Sequence, residues 1–268
     1  MPIFFKNEKK VFFIHIPKCG GTSIEKYLSA ASGGIEFFSH GARNILPCTP
    51  QHIDRSLIHS FFFQGTNNFQ YIAVVRHPLL RIISEYFHAN RYQDKPSDFD
   101  HWLIKIIKKA KHNDYIRDNH LRNQVDFLVE EAVVFHFENG LVRPIEFSLN
   151  ALDISLPVGN IPHERKQEKH NISINRKSMQ IINDFYKKDF DFFGYKTINC
   201  DETLRLTDIK KYNLDSELKD GYTVLQRCKN SNLNSKFDLE FQYSPKPTQT
   251  RFQKRKRKIK KMLIDALH

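Results

Sequence analysis

Two segments of the chain, each an apolar strand followed by a polar turn and the start of a helix, restrict its fold more than any other feature. The first reads IHIPKCGGTSI over residues 14–24, and the second reads VVRHPLLRIISEY over residues 74–86. The first turn offers a lysine, two glycines and two hydroxyls, whereas the second offers Arg76 and, further along the helix, Ser84. Glycine lets the backbone wrap closely around an anion, and a helix start adds N–H donors and a positive dipole end. We therefore predict an α/β fold that holds two anionic groups of one ligand.

The remaining composition is typical of a globular protein in a reducing compartment. The chain has 268 residues, of which 13% are aromatic, and contains no apolar run of 18 residues. We expect one domain over residues 1–250. Charged residues interrupt the apolar N-terminal stretch, so we expect neither a signal peptide nor a membrane span. The four cysteines lie far apart and form no CxxC pair, which favours a cytoplasmic location.

Strand and helix patterns alternate along the chain, as in a parallel sheet covered by helices. Apolar runs predict strands at 11–16, 71–75 and 133–137. Helical spacing predicts helices at 22–31, from Pro78 onward, over 100–131 with a break around 111–114, and at 179–193 with Gly194 as C-cap. Residues 32–50 are a predicted loop, and Thr49 before Pro50 is typical of a helix start. From 197 to 250 only 237–243 alternates like a strand. The expected architecture is a P-loop-like parallel sheet flanked by helices.

The order of residues in the first turn argues against a nucleotide triphosphatase. In the Walker A pattern the lysine follows the last glycine, whereas Lys18 precedes Gly20 and Gly21. A Walker B strand ends in an aspartate that holds magnesium, whereas the second strand ends in Arg76. Arginine binds phosphate oxygens through two parallel hydrogen bonds, and no His/Cys/Asp cluster has metal-ligand spacing. We expect a ligand held without a metal. Arg81 has two interpretations, a partner for a carboxylate or a structural residue.

Both segments resemble motifs of one enzyme family. PKCGGTS resembles the 5′-phosphosulfate loop of cytosolic and Golgi sulfotransferases, and RHPLLRIISEY is similar to their 3′-phosphate motif, R-x-P-x-x-R-x-x-S-x-Y. Further pieces occur in the same order, namely TPQHI, NHLRNQVDFL, VVFHFE and DFDFFGY, so the resemblance covers residues 11–195. It is greatest to carbohydrate sulfotransferases of the type that includes the heparan sulfate 2-O- and 6-O-enzymes and their bacterial counterparts. Cys19 stands where the family usually has threonine, and Asn123 where many relatives have proline.

The resemblance implies a donor, a reaction and a donor site. The donor is 3′-phosphoadenosine 5′-phosphosulfate (PAPS), and its sulfuryl group passes in line to a hydroxyl of a glycan or glycolipid, without a metal. Lys18 would contact the oxygen between phosphate and sulfate and stabilise the leaving group, while Arg76 and Ser84 would bind the 3′-phosphate. The 5′-phosphosulfate would be held by the loop residues Lys18, Cys19, Gly20, Gly21, Thr22 and Ser23.

The acceptor hydroxyl needs a base, and histidine suits this role near neutral pH. His52 is the first candidate among 13 histidines, because TPQHI lies where the relatives place their base. His120 is the reserve candidate for the base and, with Arg122, a candidate acceptor-binding residue. Arg122 and Gln124 have an alternative role, which is to tie helix to sheet. We expect His15 and His77 to be structural.

A basic tail at residues 251–268 carries eight Lys/Arg and one Asp, a net +7 of the formal +12. Its pattern predicts an amphipathic helix, which either packs on the domain, lies peripherally on the anionic inner face of a membrane, or binds an acidic polysaccharide. Nucleic-acid binding is not expected, because no aromatic platform accompanies the charge. Residues 163–173 predict either a mobile loop over the ligand or an ordinary charged surface loop.

Two other classes of function stay open at this point. One is a non-catalytic module that binds a nucleotide or a glycan with the same fold, and the other is an ATP-dependent kinase. The set formed by Lys18, His52, Arg76 and Ser84 favours a sulfotransferase, since a binding module has no need for a base.

Overall fold

A six-stranded mixed sheet forms the centre of the protein. The computed structural model describes residues 1–37, 46–62, 69–94, 97–159, 161, 172–199, 203–212, 214, 216–218, 220 and 222–223. Within them the strands are β1 (Ile3–Lys6), β2 (Lys9–Ile14), β3 (Gly34–Glu36), β4 (Phe69–Val75), β5 (Val133–His136), β6 (Ser173–Ile174), β7 (Leu204–Arg205) and β8 (Tyr222–Thr223). The sheet order is β3-β1-β2-β4-β5-β8, and β6 pairs with β7 in a separate ribbon.

The three central strands β2, β4 and β5 run parallel, as the alternation of strands and helices predicts. They are apolar and largely buried, which is typical of parallel strands covered on both faces. Their register pairs Ile14 with Ala73 and Val75 with His136. Both predicted anion-binding turns therefore leave the sheet at the same edge. The α/β prediction is confirmed, while the antiparallel outer strands β1, β3 and β8 were not predicted.

Helices cover this sheet and connect its strands. Within the described residues they are α1 (Gly21–Ala31), α2 (Arg55–Phe62), α3 (Pro78–Asn90), α4 (Phe99–Ala110), α5 (Val142–Ala151), α6 (Arg176–Phe185) and α7 (Lys187–Phe193). Pro78 opens α3, and the ring of His77 caps it by accepting a hydrogen bond from the Leu79 N–H at 3.2 Å. Gly194 ends α7 in the left-handed conformation (φ 65°), so the predicted C-cap is confirmed.

The helix predicted over residues 100–131 is wrong beyond Ala110. After α4 the chain makes turns and a short 3₁₀ helix at Gln124–Phe127. Arg117, Asp118 and Asn119 have φ values of 52°, 59° and 67°. Three left-handed residues in a row cannot belong to a right-handed helix, and they are costly for residues with a side chain. Contacts between the side chains of this segment and distant parts of the chain hold it in place.

Several other predictions fall on parts of the chain beyond the description. The strand at 237–243 and the basic tail at 251–268 lie outside the described residues, as does most of the loop at 163–173. Among the helices in the described ranges, none has the length and apolarity needed to cross a membrane.

Candidate functional site

The first predicted anion loop follows β2 and makes a tight turn into α1. Lys18 and Gly20 both adopt left-handed backbone conformations, with φ values of 70° and 81°. A Cβ atom on Gly20 would lie 2.8 Å from the Phe137 ring, so only glycine fits there. Gly20 is also the N-cap residue of α1, and as a glycine it has no side chain to cap this helix start. The loop thus presents the first turn of a helix, whose N–H groups attract anions.

The imidazole of His15 packs against this loop. A Cβ atom on Gly21 would lie 2.5 Å from Nε2 of His15, so the ring packs directly against the loop backbone. Nδ1 of His15 is 2.5 Å from the Glu25 carboxylate. Gln51 donates hydrogen bonds to both oxygens of that carboxylate at 2.8 Å. These buried contacts agree with the structural role predicted for His15.

Arg76 lies at the end of β4, at the sheet edge where the first loop also leaves. Its backbone N–H donates to the side-chain oxygen of Gln124 at 2.8 Å, and the Gln124 amide donates to the Arg76 carbonyl at 2.8 Å. The guanidinium lies 4.6 Å from the centre of the Phe137 ring, and Nη1 donates to the Lys18 carbonyl at 3.3 Å. Among the described residues, its buried Nε has no hydrogen-bond partner. Arg76 is therefore fixed in position, and no described residue accepts a hydrogen bond from its Nε.

The contacts of Arg81 support the second of its two interpretations, that of a structural residue. Its side chain is 1% exposed. The guanidinium donates to the carbonyls of Pro17 (3.0 Å), Arg122 (2.9 Å) and His120 (2.9 Å). Arg81 thus connects α3 to the first loop and to the segment that carries His120.

His52 is held by a carboxylate. Its Nδ1 lies 2.9 Å from the Asp118 carboxylate, which also accepts from the Thr49 N–H at 2.6 Å and the Thr49 hydroxyl at 2.8 Å. An ionised carboxylate can only accept, so the proton of a neutral His52 lies on Nδ1 and the lone pair on Nε2. Asn119 donates to the His52 carbonyl at 2.8 Å. The left-handed segment thus fixes both the ring and the backbone of His52.

Burial keeps His52 neutral. Desolvation lowers the pKa of His52 to about 3, against the opposing effect of the Asp118 hydrogen bond. The pKa of Asp118 is also lowered, since its hydrogen bonds from His52 and Thr49 outweigh partial burial. A neutral imidazole with its lone pair on Nε2 is the form that can accept a proton.

A second imidazole lies next to His52. The rings of His52 and His120 meet edge to face with centroids 4.8 Å apart. Nδ1 of His120 is 2.6 Å from the fully buried Glu85 carboxylate, which also accepts from Arg117 at 2.7 Å. His88 stacks on His120 at 5.4 Å. The structure therefore brings His120 to the predicted base.

Two groups of side chains in this region have the composition of a metal site. They are His52, Asp118 and His120, and Glu85, His88 and His120, whose ligand atoms lie within 4.8 Å of one another in each group. In both groups the carboxylate already pairs with an imidazole Nδ1. Hydrogen bonding alone thus accounts for these two pairs.

Arg122 and Gln124 make contacts within the fold. The guanidinium of Arg122 lies 3.2 Å from Asp54, donates to Asn119 at 2.7 Å and stacks over the Tyr115 ring. These contacts agree with the alternative role of Arg122, which is to tie elements of the fold together. Acceptor binding by Arg122 stays a prediction.

Gln124 ties both predicted anion sites to the 3₁₀ helix. Besides its contacts with Arg76, its side-chain oxygen accepts from the Cys19 thiol at 3.2 Å. Burial raises the pKa of that thiol to about 12, so Cys19 stays protonated. Ser23 and Ser84 are buried, and Thr22 is partly buried.

The ring of His15 contacts both the first loop and His52. The ring of His15 packs against Gly21 on one side and lies 5.1 Å from the His52 ring, edge to face. Lys18 is near enough to His88 to lower the pKa of that imidazole, in addition to the larger effect of burial. One imidazole thus separates the loop from the predicted base.

The sequence did not predict the two carboxylates that pair with the imidazoles of His52 and His120. Asp118 lies 66 positions from His52 and Glu85 lies 35 positions from His120. No local pattern indicates such pairs, because the spacing depends on how distant elements pack. The only available signal was the polar segment around NHLRNQ.

Comparisons with known proteins identify the family of the chain. The sequence model of the sulfotransferase family matches residues 1–196. No curated protein is similar enough in sequence to match the chain. A crystal structure of a sulfotransferase from Alicyclobacillus acidocaldarius aligns at 16% identity with a TM-score of 0.39, covering 67% of this chain and 92% of the other.

Proposed function

The chain belongs to the sulfotransferase family, and we propose that it transfers a sulfuryl group from PAPS to a hydroxyl of a glycan or glycolipid. The observation that most supports this proposal is the position of His52. Its Nδ1 is held by the Asp118 carboxylate, and its ring is separated from the first loop by a single imidazole, that of His15. A binding module would need the loop but not a neutral, oriented imidazole beside it.

The donor carries a 5′-phosphosulfate and a 3′-phosphate, and we assign one of these groups to each of the two strand ends. The loop at residues 18–23 would hold the 5′-phosphosulfate with its helix N-terminus and the Lys18 ammonium. Arg76 would bind the 3′-phosphate together with Ser84. The buried Nε of Arg76, which has no partner among the described residues, supports this assignment.

The proposed reaction is an in-line displacement at sulfur. The acceptor oxygen attacks the sulfur while Nε2 of His52 takes the hydroxyl proton. The bond between sulfur and the bridging oxygen breaks, and 3′,5′-adenosine bisphosphate leaves. Lys18 stabilises the negative charge that develops on the bridging oxygen. Asp118 fixes the tautomer of His52 and balances the imidazolium that forms.

His120 would line the acceptor side of this site. Its ring contacts that of His52, and Glu85 fixes its Nδ1 in the same way as Asp118 fixes His52. Its Nε2 is therefore suited to accept a hydrogen bond from the sugar. Any contribution of the basic tail to membrane attachment stays a prediction, because residues 251–268 lie outside the description.

Transfer of ³⁵S from labelled PAPS to a panel of unsulfated polysaccharides and lipid-linked sugars tests this proposal. The wild type should label at least one acceptor, and Lys18→Ala should abolish labelling while its unfolding curve stays unchanged. Lys26→Ala removes an exposed lysine of α1 and serves as the control. Full labelling by Lys18→Ala would overturn the role of Lys18. No labelling by the wild type, despite bisphosphate binding, would support the binding module.

A further inference from the structure

Two neighbouring imidazoles at the proposed base are oriented in the same way. The rings of His52 and His120 meet with centroids 4.8 Å apart, and each side chain is 11% exposed. Nδ1 of His52 pairs with the Asp118 carboxylate at 2.9 Å, and Nδ1 of His120 pairs with the Glu85 carboxylate at 2.6 Å. Hydrogen bonding therefore accounts for one nitrogen of each ring and leaves Nε2 of both.

Both Nε2 atoms carry a lone pair when the rings are neutral. An ionised carboxylate only accepts hydrogen bonds, so the proton of each neutral ring lies on Nδ1. Among the described residues, no group donates a hydrogen bond to Nε2 of His52 or of His120. Neutral imidazole nitrogens are good ligands for Zn²⁺, Co²⁺ and similar divalent ions. Two of them side by side form the beginning of a metal site.

We propose that Nε2 of His52 and Nε2 of His120 bind a divalent transition-metal ion such as Zn²⁺, and that this ion inhibits sulfuryl transfer by occupying the lone pair of the base. Histidines that bind a metal almost always donate their other ring N–H to a carboxylate, a carbonyl or water, and both rings have such a carboxylate. The inhibition rests on the proposed function, whereas the metal binding does not. The ion is an inhibitor and not a cofactor of the reaction.

The spacing of the side chains permits a shared ion after a small adjustment. One nitrogen of His52 and one of His120 lie within 4.8 Å of each other. Two nitrogens bound to one tetrahedral Zn²⁺ lie roughly 3.4 Å apart, so the rings must approach by about 1.5 Å at most. His88 offers a third imidazole, because one of its nitrogens lies within 4.8 Å of a nitrogen of His120. Nδ1 of His88 accepts from Arg91 at 3.0 Å, an exposed contact that metal binding would replace.

The charges around the two rings favour a cation. Asp118 is in no ion pair with a lysine or an arginine in the described part of the chain. Glu85 pairs with Arg117 at 2.7 Å. These three side chains leave one negative charge in excess beside the proposed ligands. The ammonium of Lys18 acts on His88, which makes His88 a weaker ligand than the other two.

Titration of the full chain with Co²⁺, followed by visible absorption, tests the metal site independently of activity. The d–d bands of Co²⁺ report its ligands, and the titration contains no nucleotide, so no phosphate competes for the ion. His120→Gln should weaken Co²⁺ binding at least as much as Glu85→Gln, which removes only the carboxylate behind the ligand and should cost about 10- to 100-fold in affinity. His101→Gln changes an exposed histidine of α4 and should bind Co²⁺ like the wild type. Equal affinity of His120→Gln and the wild type would overturn the site.

The imidazole resonances give a second readout that needs no variant. Bound Co²⁺ is paramagnetic and should strongly shift the C–H signals of His52 and His120, whereas those of the exposed His101 and His112 should stay in place. Shifts confined to exposed histidines would show that the ion binds only at the surface and would overturn the proposal.

The effect of Zn²⁺ on transfer of ³⁵S from PAPS tests the inhibition. Saturating Zn²⁺ should abolish transfer by the wild type, and a chelator should restore it. If Co²⁺ binds at His52 and His120 but transfer continues at the full rate in saturating Zn²⁺, the inhibition is refuted and His52 is not the base. If Co²⁺ binds there but the wild type transfers no label even with a chelator present, the metal site stands and the proposed function fails.

Discussion

Replacing Asp118 with asparagine exchanges one carboxylate oxygen for an NH₂ group beside His52. Oδ1 of Asp118 accepts from the Thr49 N–H at 2.6 Å, and Oδ2 accepts from the Thr49 hydroxyl and from His52. The backbone N–H can only donate, so the amide oxygen of the asparagine must face it. The NH₂ group then faces the Thr49 hydroxyl, which can accept, and Nδ1 of His52.

This orientation forces the wrong tautomer on His52. Nδ1 must accept from the new NH₂ group, so the proton moves to Nε2 and the lone pair needed for catalysis is lost. Loss of a general base costs roughly 10²- to 10⁴-fold in rate, and the corresponding change in the Ser-His-Asp triad costs about 10⁴-fold. We expect the Asp118→Asn substitution to lower kcat by a factor within this range.

Single-turnover sulfuryl transfer from saturating PAPS measures this effect directly. Affinity for 3′,5′-adenosine bisphosphate should stay unchanged, since Asp118 contacts Thr49 and His52 and not the predicted donor loop. Asp114→Asn is the matched control, because that carboxylate is 74% exposed and four residues away. A rate within twofold of the wild type in Asp118→Asn would refute the orientation of His52 by Asp118.

Four further predictions concern the titration of His52 and the packing around the site. Burial lowers the pKa of His52 to about 3, so kcat at saturating donor should stay constant from pH 8 to about pH 5. A decrease of kcat with a midpoint near pH 6.5, the ordinary pKa of histidine, would contradict this. The same shift makes a stability contribution that is complete above pH 6.5 and lost as pH falls towards 3; His52→Gln should flatten this part of the stability profile measured by urea unfolding. Gly21→Ala places a Cβ 2.5 Å from the His15 ring and should cost about 1–3 kcal/mol and weaken bisphosphate binding, whereas Gly159→Ala, with no atom within 4 Å of its Cβ, should do neither. Arg81→Met leaves three carbonyls without their donor and should lower the free energy of unfolding by about 3 kcal/mol or more; a loss below 1 kcal/mol would contradict its structural role.

The elements that the sequence predicts well are those with a local signal. Apolar runs of strand length give the three parallel strands, Pro78 marks the start of α3, and Gly194 marks the end of α7. The turns after β2 and β4 are recognisable because glycines and cationic residues stand directly after a buried strand. Such features depend on neighbouring residues, so they can be read from a single chain.

The segment after α4 could not be predicted, since long-range contacts override its helical pattern. Arg117, Asp118 and Asn119 adopt left-handed conformations because their side chains bind Glu85, Thr49 and the His52 backbone. Antiparallel β1 and β3 were missed for a related reason. Both strands are short, and neither the pairing of β1 with β2 nor that of β3 with β1 is visible in their own patterns.

Thermal unfolding with 3′,5′-adenosine bisphosphate, compared with ATP and magnesium, tests the central claim most directly. We predict stabilisation by the bisphosphate alone. At 100 times its dissociation constant the ligand adds about 2.7 kcal/mol to the folded state, which corresponds to a shift of several degrees. The shift should be lost or reduced in Arg76→Ala. A shift with ATP and magnesium but none with the bisphosphate would contradict the assignment of PAPS as donor and would favour a kinase.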